Sequence, residues 1–94
     1  MVLKLKIYIE FLSWASLKTG RSWIWIEVPE GIKVRDILMK ELPNALGQDV
    51  AKVIIDSILN GTLVVLVNGY AIPSLDYDLK DGDKIYLQPL AAGG

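Results

Sequence analysis

Two stretches of this chain alternate apolar and polar side chains with a period of two, and that pattern limits the folds open to it. In residues 2–11, Leu3, Leu5, Ile7 and Ile9 share one parity, while Val2, Lys4, Lys6, Tyr8 and Glu10 share the other. In residues 22–28, Ile24, Ile26 and Val28 alternate with Trp23, Trp25 and Glu27. A repeat of two is the signature of a half-buried β-strand. The intervening segment, Ser13 to Arg21, reads as a loop that Gly20 helps to turn, and Pro29-Glu30-Gly31 ends the second strand. The two strands therefore form an antiparallel hairpin with one apolar face that needs a covering layer.

Helical spacing supplies the cover. Val34, Ile37, Leu38 and Leu42 fall on one helical face, and Pro43 is expected to stop that helix. Lys33 stands at its start, where Ser, Thr, Asp or Asn is preferred. A second helix is predicted over 48–59, with Val50, Val53, Ile54 and Ile58 inward and Asn60-Gly61 as its stop. Leu63 to Val67 is a strand, and Asn68-Gly69 marks a tight hairpin into the short return strand Tyr70-Ala71-Ile72, which Pro73 ends. Leu75 to Leu79 reads as a turn region, Lys80-Asp81-Gly82-Asp83 as a tight turn, and Lys84 to Gln88 as the last strand, with Ile85 and Leu87 inward. This order predicts an α+β fold, a mixed sheet of four to five strands packed on one main helix. Joining the first and last strands at the sheet centre makes it a ubiquitin-like β-grasp over residues 1–88, followed by a flexible tail over 89–94.

Composition narrows the chemistry. The 94 residues make one domain, and 52% hydrophobic content argues against disorder. With no Cys the chain has no thiolate nucleophile, no disulfide and no zinc site of the usual kind; with no His it lacks the commonest acid–base group near neutral pH. A formal charge of −1 disfavours nucleic acid as a partner. The longest aliphatic run is Leu63 to Val67, far short of a membrane span, and residues 1–6 do not resemble a leader. No membrane is expected as a partner, and the cytoplasm is the default location.

Three features are candidates for function. The sequence ends in Gly93-Gly94, an outcome of about 0.7% chance given 8 glycines in 94 residues, so it merits a functional reading. Glycine lacks a Cβ and lets an arm thread a narrow channel to present its α-carboxylate. Second, Tyr8, Trp23, Trp25 and Tyr86 fall on the parity opposite the core and would form an aromatic docking patch. Third, Asp76, Asp78, Asp81 and Asp83 crowd one turn region; their spacing does not match a calcium loop, and they read as solvated turn residues with no metal.

Taken in order, Pro29-Glu30-Gly31, Val65-Leu66-Val67-Asn68-Gly69, Leu79-Lys80-Asp81-Gly82-Asp83-Lys84-Ile85 and the closing Pro89-Leu90-Ala91-Ala92-Gly93-Gly94 resemble the MoaD/ThiS family of ubiquitin-like sulfur carriers. Length and tail look most like the small subunit of molybdopterin synthase. Gln88, Leu90 and Ala91 depart from that subunit's usual tail, and Lys33 replaces its usual Thr. The resemblance implies that Gly94 is adenylated by an activating enzyme of the ubiquitin-activating type. ATP is used by that partner, and no cofactor is bound by this chain. A sulfur donor protein then leaves a thiocarboxylate on Gly94, with Gly93 giving clearance. Leu90, Ala91 and Ala92 line the arm that enters the large subunit, where sulfur is delivered to a molybdopterin precursor. Catalytic groups belong to the partners. The alternatives are a protein modifier joined through Gly94 to lysines, a thiamine-type sulfur carrier, and a β-grasp interaction domain without chemistry.

Overall fold

Residues 3–90 are described by a computed structural model, and the fold is built around the first and last strands. β1 (Lys4–Phe11) and β2 (Trp23–Pro29) form the expected antiparallel hairpin, in register Ile7 to Ile26 and Ile9 to Ile24. β3 (Leu63–Val67) turns through Asn68-Gly69 into β4 (Tyr70–Ala71), and β5 (Lys84–Pro89) is the last strand. The sheet order is β2-β1-β5-β3-β4. β5 lies parallel to β1, with Ile9 beside Ile85, and antiparallel to β3, with Val65 beside Leu87. The sheet is mixed, has five strands, and is the β-grasp arrangement predicted.

Asn68 and Gly69 have φ of 54° and 89°, the pair of positive values that a two-residue hairpin turn demands. Asn68 also clamps the turn to β5: its Oδ1 accepts from Lys84 N–H at 3.0 Å and its Nδ2 donates to Asp83 Oδ1 at 2.9 Å.

The helical layer is larger than the sequence suggests. The segment read as a loop contains α1 (Trp14–Thr19), whose Ala15 is fully buried. Burial of a small residue, capped by Gly20 in the left-handed region, holds a helix too short to show periodicity. Nor does Pro43 stop the next helix. α2 (Val34–Asp36) runs into a wide π-helical turn (Ile37–Glu41) and then α3 (Leu42–Leu46), with Pro43 in the first turn of α3. Leu42 N–H reaches back to the carbonyl of Ile37, so the wider turn leaves room for a proline ring that has no N–H to offer.

Gly47, with φ of 89°, turns the chain into α4 (Gln48–Leu59), which has the predicted bounds. Its inner face is rotated from the one expected: Ala51 and Ile54 are buried, Ile55 and Ile58 pack beside them, and Val53 is exposed. Counting only large apolar residues overlooks Ala51. Smaller differences occur at strand ends: β2 begins at Trp23, β4 ends at Ala71, and β5 extends through Pro89. Val2 lies outside the described residues.

The core fills the space between sheet and helices. Ile7, Ile9, Phe11, Val28, Val34, Ile37, Leu38, Leu42, Ile54, Ile85 and Leu87 are its largest fully buried side chains, and no polar or charged residue is buried among the described residues.

Candidate functional site

The exit of β5 is the first part of the site. This strand is hydrogen-bonded on both sides, and Ile85 and Leu87 are fully buried, so its position is set by the centre of the fold. Pro89 stands opposite Leu63, and Leu90 N–H donates to the carbonyl of Thr62 at 3.0 Å. The Leu90 side chain itself is exposed. The chain therefore leaves the sheet at a fixed point beside Thr62. Ala91, Ala92, Gly93 and Gly94 lie outside the described residues.

The second part is the sheet face away from the helices. Strand register sets Trp25, Tyr8 and Lys84 in one row across β2, β1 and β5, and Trp23, Glu10, Tyr86 and Leu66 in the next across β2, β1, β5 and β3. Trp23 and Trp25 are exposed at 56% and 45%, whereas Tyr8 and Tyr86 are half-buried. The Tyr8 and Trp23 rings sit 6.5 Å apart between centroids, inclined at 42°. Lys6 Nζ lies 4.0 Å from the centroid of Trp25 and 5.7 Å from that of Tyr8. A cation over an aromatic face is attracted by the ring quadrupole. The structure thus gathers Tyr8, Trp23 and Trp25 around Lys6 and sets Tyr86 on the same face, one strand beyond Glu10.

Tyr8, Glu10, Trp23 and Lys84 line an open basin of about 420 Å³ on this face. Glu10, Lys6 and Lys84 were not among the residues singled out from sequence. Parity alone places them on the same face as the aromatics, and strand order and register bring them together. The face can therefore offer both ring surface and charges of either sign to a docking protein.

The acidic turns have structural duties. Asp78 Oδ1 accepts from Lys33 Nζ at 2.6 Å, and Asp76 pairs with Arg35 at 2.9 Å. The hydrogen bond to Asp78 holds the Lys33 ammonium above the usual lysine range; a small loss of hydration opposes it, and the charges of Asp78, Asp76 and Asp36 assist. The same segment completes the start of α2: Val34 N–H donates to the carbonyl of Tyr77 and Arg35 N–H to that of Leu75, while Asp36 accepts from Lys33 N–H. A cap that Lys33 cannot make with an oxygen of its own is supplied from a distant loop. Asp81 accepts from Lys6 N–H at 2.7 Å, and Asp83 accepts from Lys80 N–H at 2.8 Å. Among the described residues no cluster of three or more metal-ligating side chains occurs, and no helix is long and apolar enough to cross a membrane.

No family model matches the chain, and no curated protein matches it in sequence. Solved structures do match. The protein from Pyrococcus furiosus described as molybdopterin converting factor subunit 1 superposes with a TM-score of 0.69 at 23% identity, covering 90% of this chain and 97% of that one. SAMP1 from Haloferax volcanii, a small archaeal modifier protein, gives 0.76 at 21% identity, covering 95% and 99%. A chain in the complex of subunits 1 and 2 of molybdopterin-converting factor from Helicobacter pylori gives 0.54 at 23% identity, covering 96% and 100%. This chain therefore has the same β-grasp fold as these ubiquitin-like proteins.

Proposed function

We propose that this chain is a sulfur carrier that acts through the carboxylate of Gly94 in the synthesis of molybdopterin, the organic part of the molybdenum or tungsten cofactor. The observation that carries the reading is the placement of Gly93-Gly94 four residues beyond a strand locked at the centre of a β-grasp sheet. A fixed exit followed by a side-chain-poor arm is the form required of a group that must reach into another enzyme. The chain's lack of Cys and His agrees with it, because sulfur carried on a backbone carboxyl needs neither thiol nor imidazole in the carrier.

A carboxylate is a poor electrophile, so the first step is adenylation on an activating enzyme. The Gly94 carboxylate attacks the α-phosphate of ATP, pyrophosphate leaves, and a mixed anhydride forms. A sulfur nucleophile from a donor protein then displaces AMP. With a persulfide as that nucleophile, the product is an acyl disulfide. A thiol then attacks its donor-side sulfur, forms a disulfide with the donor and releases a thiocarboxylate on Gly94, which is nucleophilic at neutral pH. Gly93 gives steric clearance, and Leu90, Ala91 and Ala92 make the threaded arm. The open face with Tyr8, Trp23, Trp25 and Tyr86 is the docking surface. The two-subunit complex from H. pylori supports a large-subunit partner of the molybdopterin synthase type.

Deleting Gly94 tests this reading. The variant is expected to keep the circular dichroism and melting midpoint of the full chain and to lose all ATP-dependent acyl-adenylate formation with its activating enzyme. Unchanged activation would overturn the proposal. Intact mass of the protein from its own cells should show one terminal oxygen exchanged for sulfur. The match to a small archaeal modifier protein favours a second reading, attachment of Gly94 to lysine amines. Lysines of other proteins joined by an isopeptide bond to the 85–94 segment, the piece left by cleavage after Lys84, without any thiocarboxylate, would select it.

A further inference from the structure

β2 is an edge strand, and among the described residues no strand pairs with its outer side. The ladder with β1 decides which backbone groups face outward. Phe11 N–H donates to Ser22 O at 2.8 Å and Glu30 N–H to Leu3 O at 3.1 Å, with Ile9 opposite Ile24 and Ile7 opposite Ile26 between them. Since bonded pairs alternate along an antiparallel ladder, Ser22, Ile24, Ile26 and Val28 direct their N–H and C=O groups to β1. Trp23, Trp25 and Glu27 direct theirs away from the sheet. The side chains of these three residues are exposed, as is that of Arg21 two positions earlier.

Edge strands are ordinarily blunted by lysines, bulges, proline or shortness. The opposite edge, β4, is only two residues long. β2 is seven residues long, carries Glu27 as its single charge, and has its proline only at the last position. Its outer side is therefore a template for another extended strand, and its own composition indicates which one.

We infer that β2 pairs antiparallel with β2 of a second copy of this chain, about a two-fold axis at Ile24. Trp23 then stands opposite the partner's Trp25. Arg21 lies just ahead of β2 with its backbone N–H and C=O held by Thr19 Oγ1, and its exposed side chain lies across from the partner's Glu27. Symmetry repeats both pairs, giving two aromatic contacts and two ion pairs. Registers centred further toward the end of β2 are poorer. Centring on Trp25 sets Arg21 against the partner's Pro29 and Trp23 against the partner's Glu27. Centring on Ile26 brings Pro29, which has no N–H, into the ladder. Charge supports the choice, since neither Arg21 nor Glu27 has an ion-pair partner among the described residues. Lys6, opposite Glu27 on β1, instead carries its ammonium over the Trp25 ring. The pairing makes one continuous sheet with both open faces on the same side. One strand pair is a small interface, so association is expected to be weak and to rise with concentration.

Sedimentation equilibrium of the full chain from about 10 µM to about 1 mM reads this directly. Glu27→Arg and Arg21→Glu each make both ion pairs repulsive and should weaken self-association about tenfold. An equal mixture of the two variants should recover dimers that native mass spectrometry identifies as mixed, because each substituted position then faces its opposite. The double variant R21E/E27R should recover self-association as well, with circular dichroism confirming the fold in every case. A wild type that stays monomeric to about 1 mM, single variants that associate as the wild type does, or failure of the mixture to recover would each overturn the pairing.

Discussion

The two faces of the sheet are built from the same strands, one residue out of step, and obey opposite rules. Ile7, Ile9, Val28, Ile85 and Leu87 face the helices with at most 1% exposure. Tyr8, Trp23, Trp25, Tyr86, Lys6, Glu10 and Lys84 face outward and mix rings with charges. The inner face is aliphatic and closely covered. On the outer face, ring area is exposed that burial would otherwise stabilise. The difference separates two roles: the inner face holds the fold and thereby fixes the exit of β5, while the outer face, exposed, is the docking surface proposed above.

Substitutions one position apart should separate those roles. Ile9→Ala opens a cavity at a fully buried site between β2 and β5, and should destabilise the chain by about 3 kcal/mol, lowering the melting midpoint by roughly 15 °C. Thermal melts followed by circular dichroism check this, and a loss below about 1 kcal/mol would break the distinction between the faces. Trp23→Ala removes an exposed ring beside Tyr8 and should change stability by less than about 1 kcal/mol. It should nonetheless weaken binding to the proposed activating enzyme by about tenfold or more, measured by titration at concentrations low enough to keep the chain monomeric. Unchanged affinity would remove the outer face from the docking surface and leave the arm as the sole contact.

Much of this architecture can be read from the residues because it rests on period and turn chemistry. Alternation in β1, β2 and β5, the Asn68-Gly69 turn and the bounds of α4 are local signals, and they carry the strands, the hairpins and the parity of all four aromatics, whereas the central pairing of β1 with β5 has no local signal. What escaped the reading depends on contacts distant in sequence. α1 is held by burial of Ala15, and the turn through Pro43 depends on a wider helical turn. The start of α2 is completed by carbonyls of Leu75 and Tyr77, some forty residues away. The same limit applies to the site. Parity put Tyr8, Trp23 and Trp25 on one face, but their grouping around Lys6 required the register of β1 against β2.

Lys6 provides the finest test of the contrast, because it belongs to the outer face yet touches the hairpin that supports the inner one. Its ammonium lies over Trp25, and its backbone N–H is held by Asp81, so main chain and side chain have separate partners. Lys6→Met keeps a flexible stem over the ring and removes only the charge. If the cation contributes to Trp25 packing, stability should fall by about 0.5 kcal/mol, with the midpoint shifting by only a few degrees. The Asp81 bond is made by the backbone and persists in the variant, so this loss isolates the interaction with the rings. A wild-type melting midpoint would mean that Lys6 merely rests on Trp25, leaving its charge available to a docking protein. A loss several times larger would mean that the outer face also helps hold β1 to β2, and the division between the two faces would fail at that point.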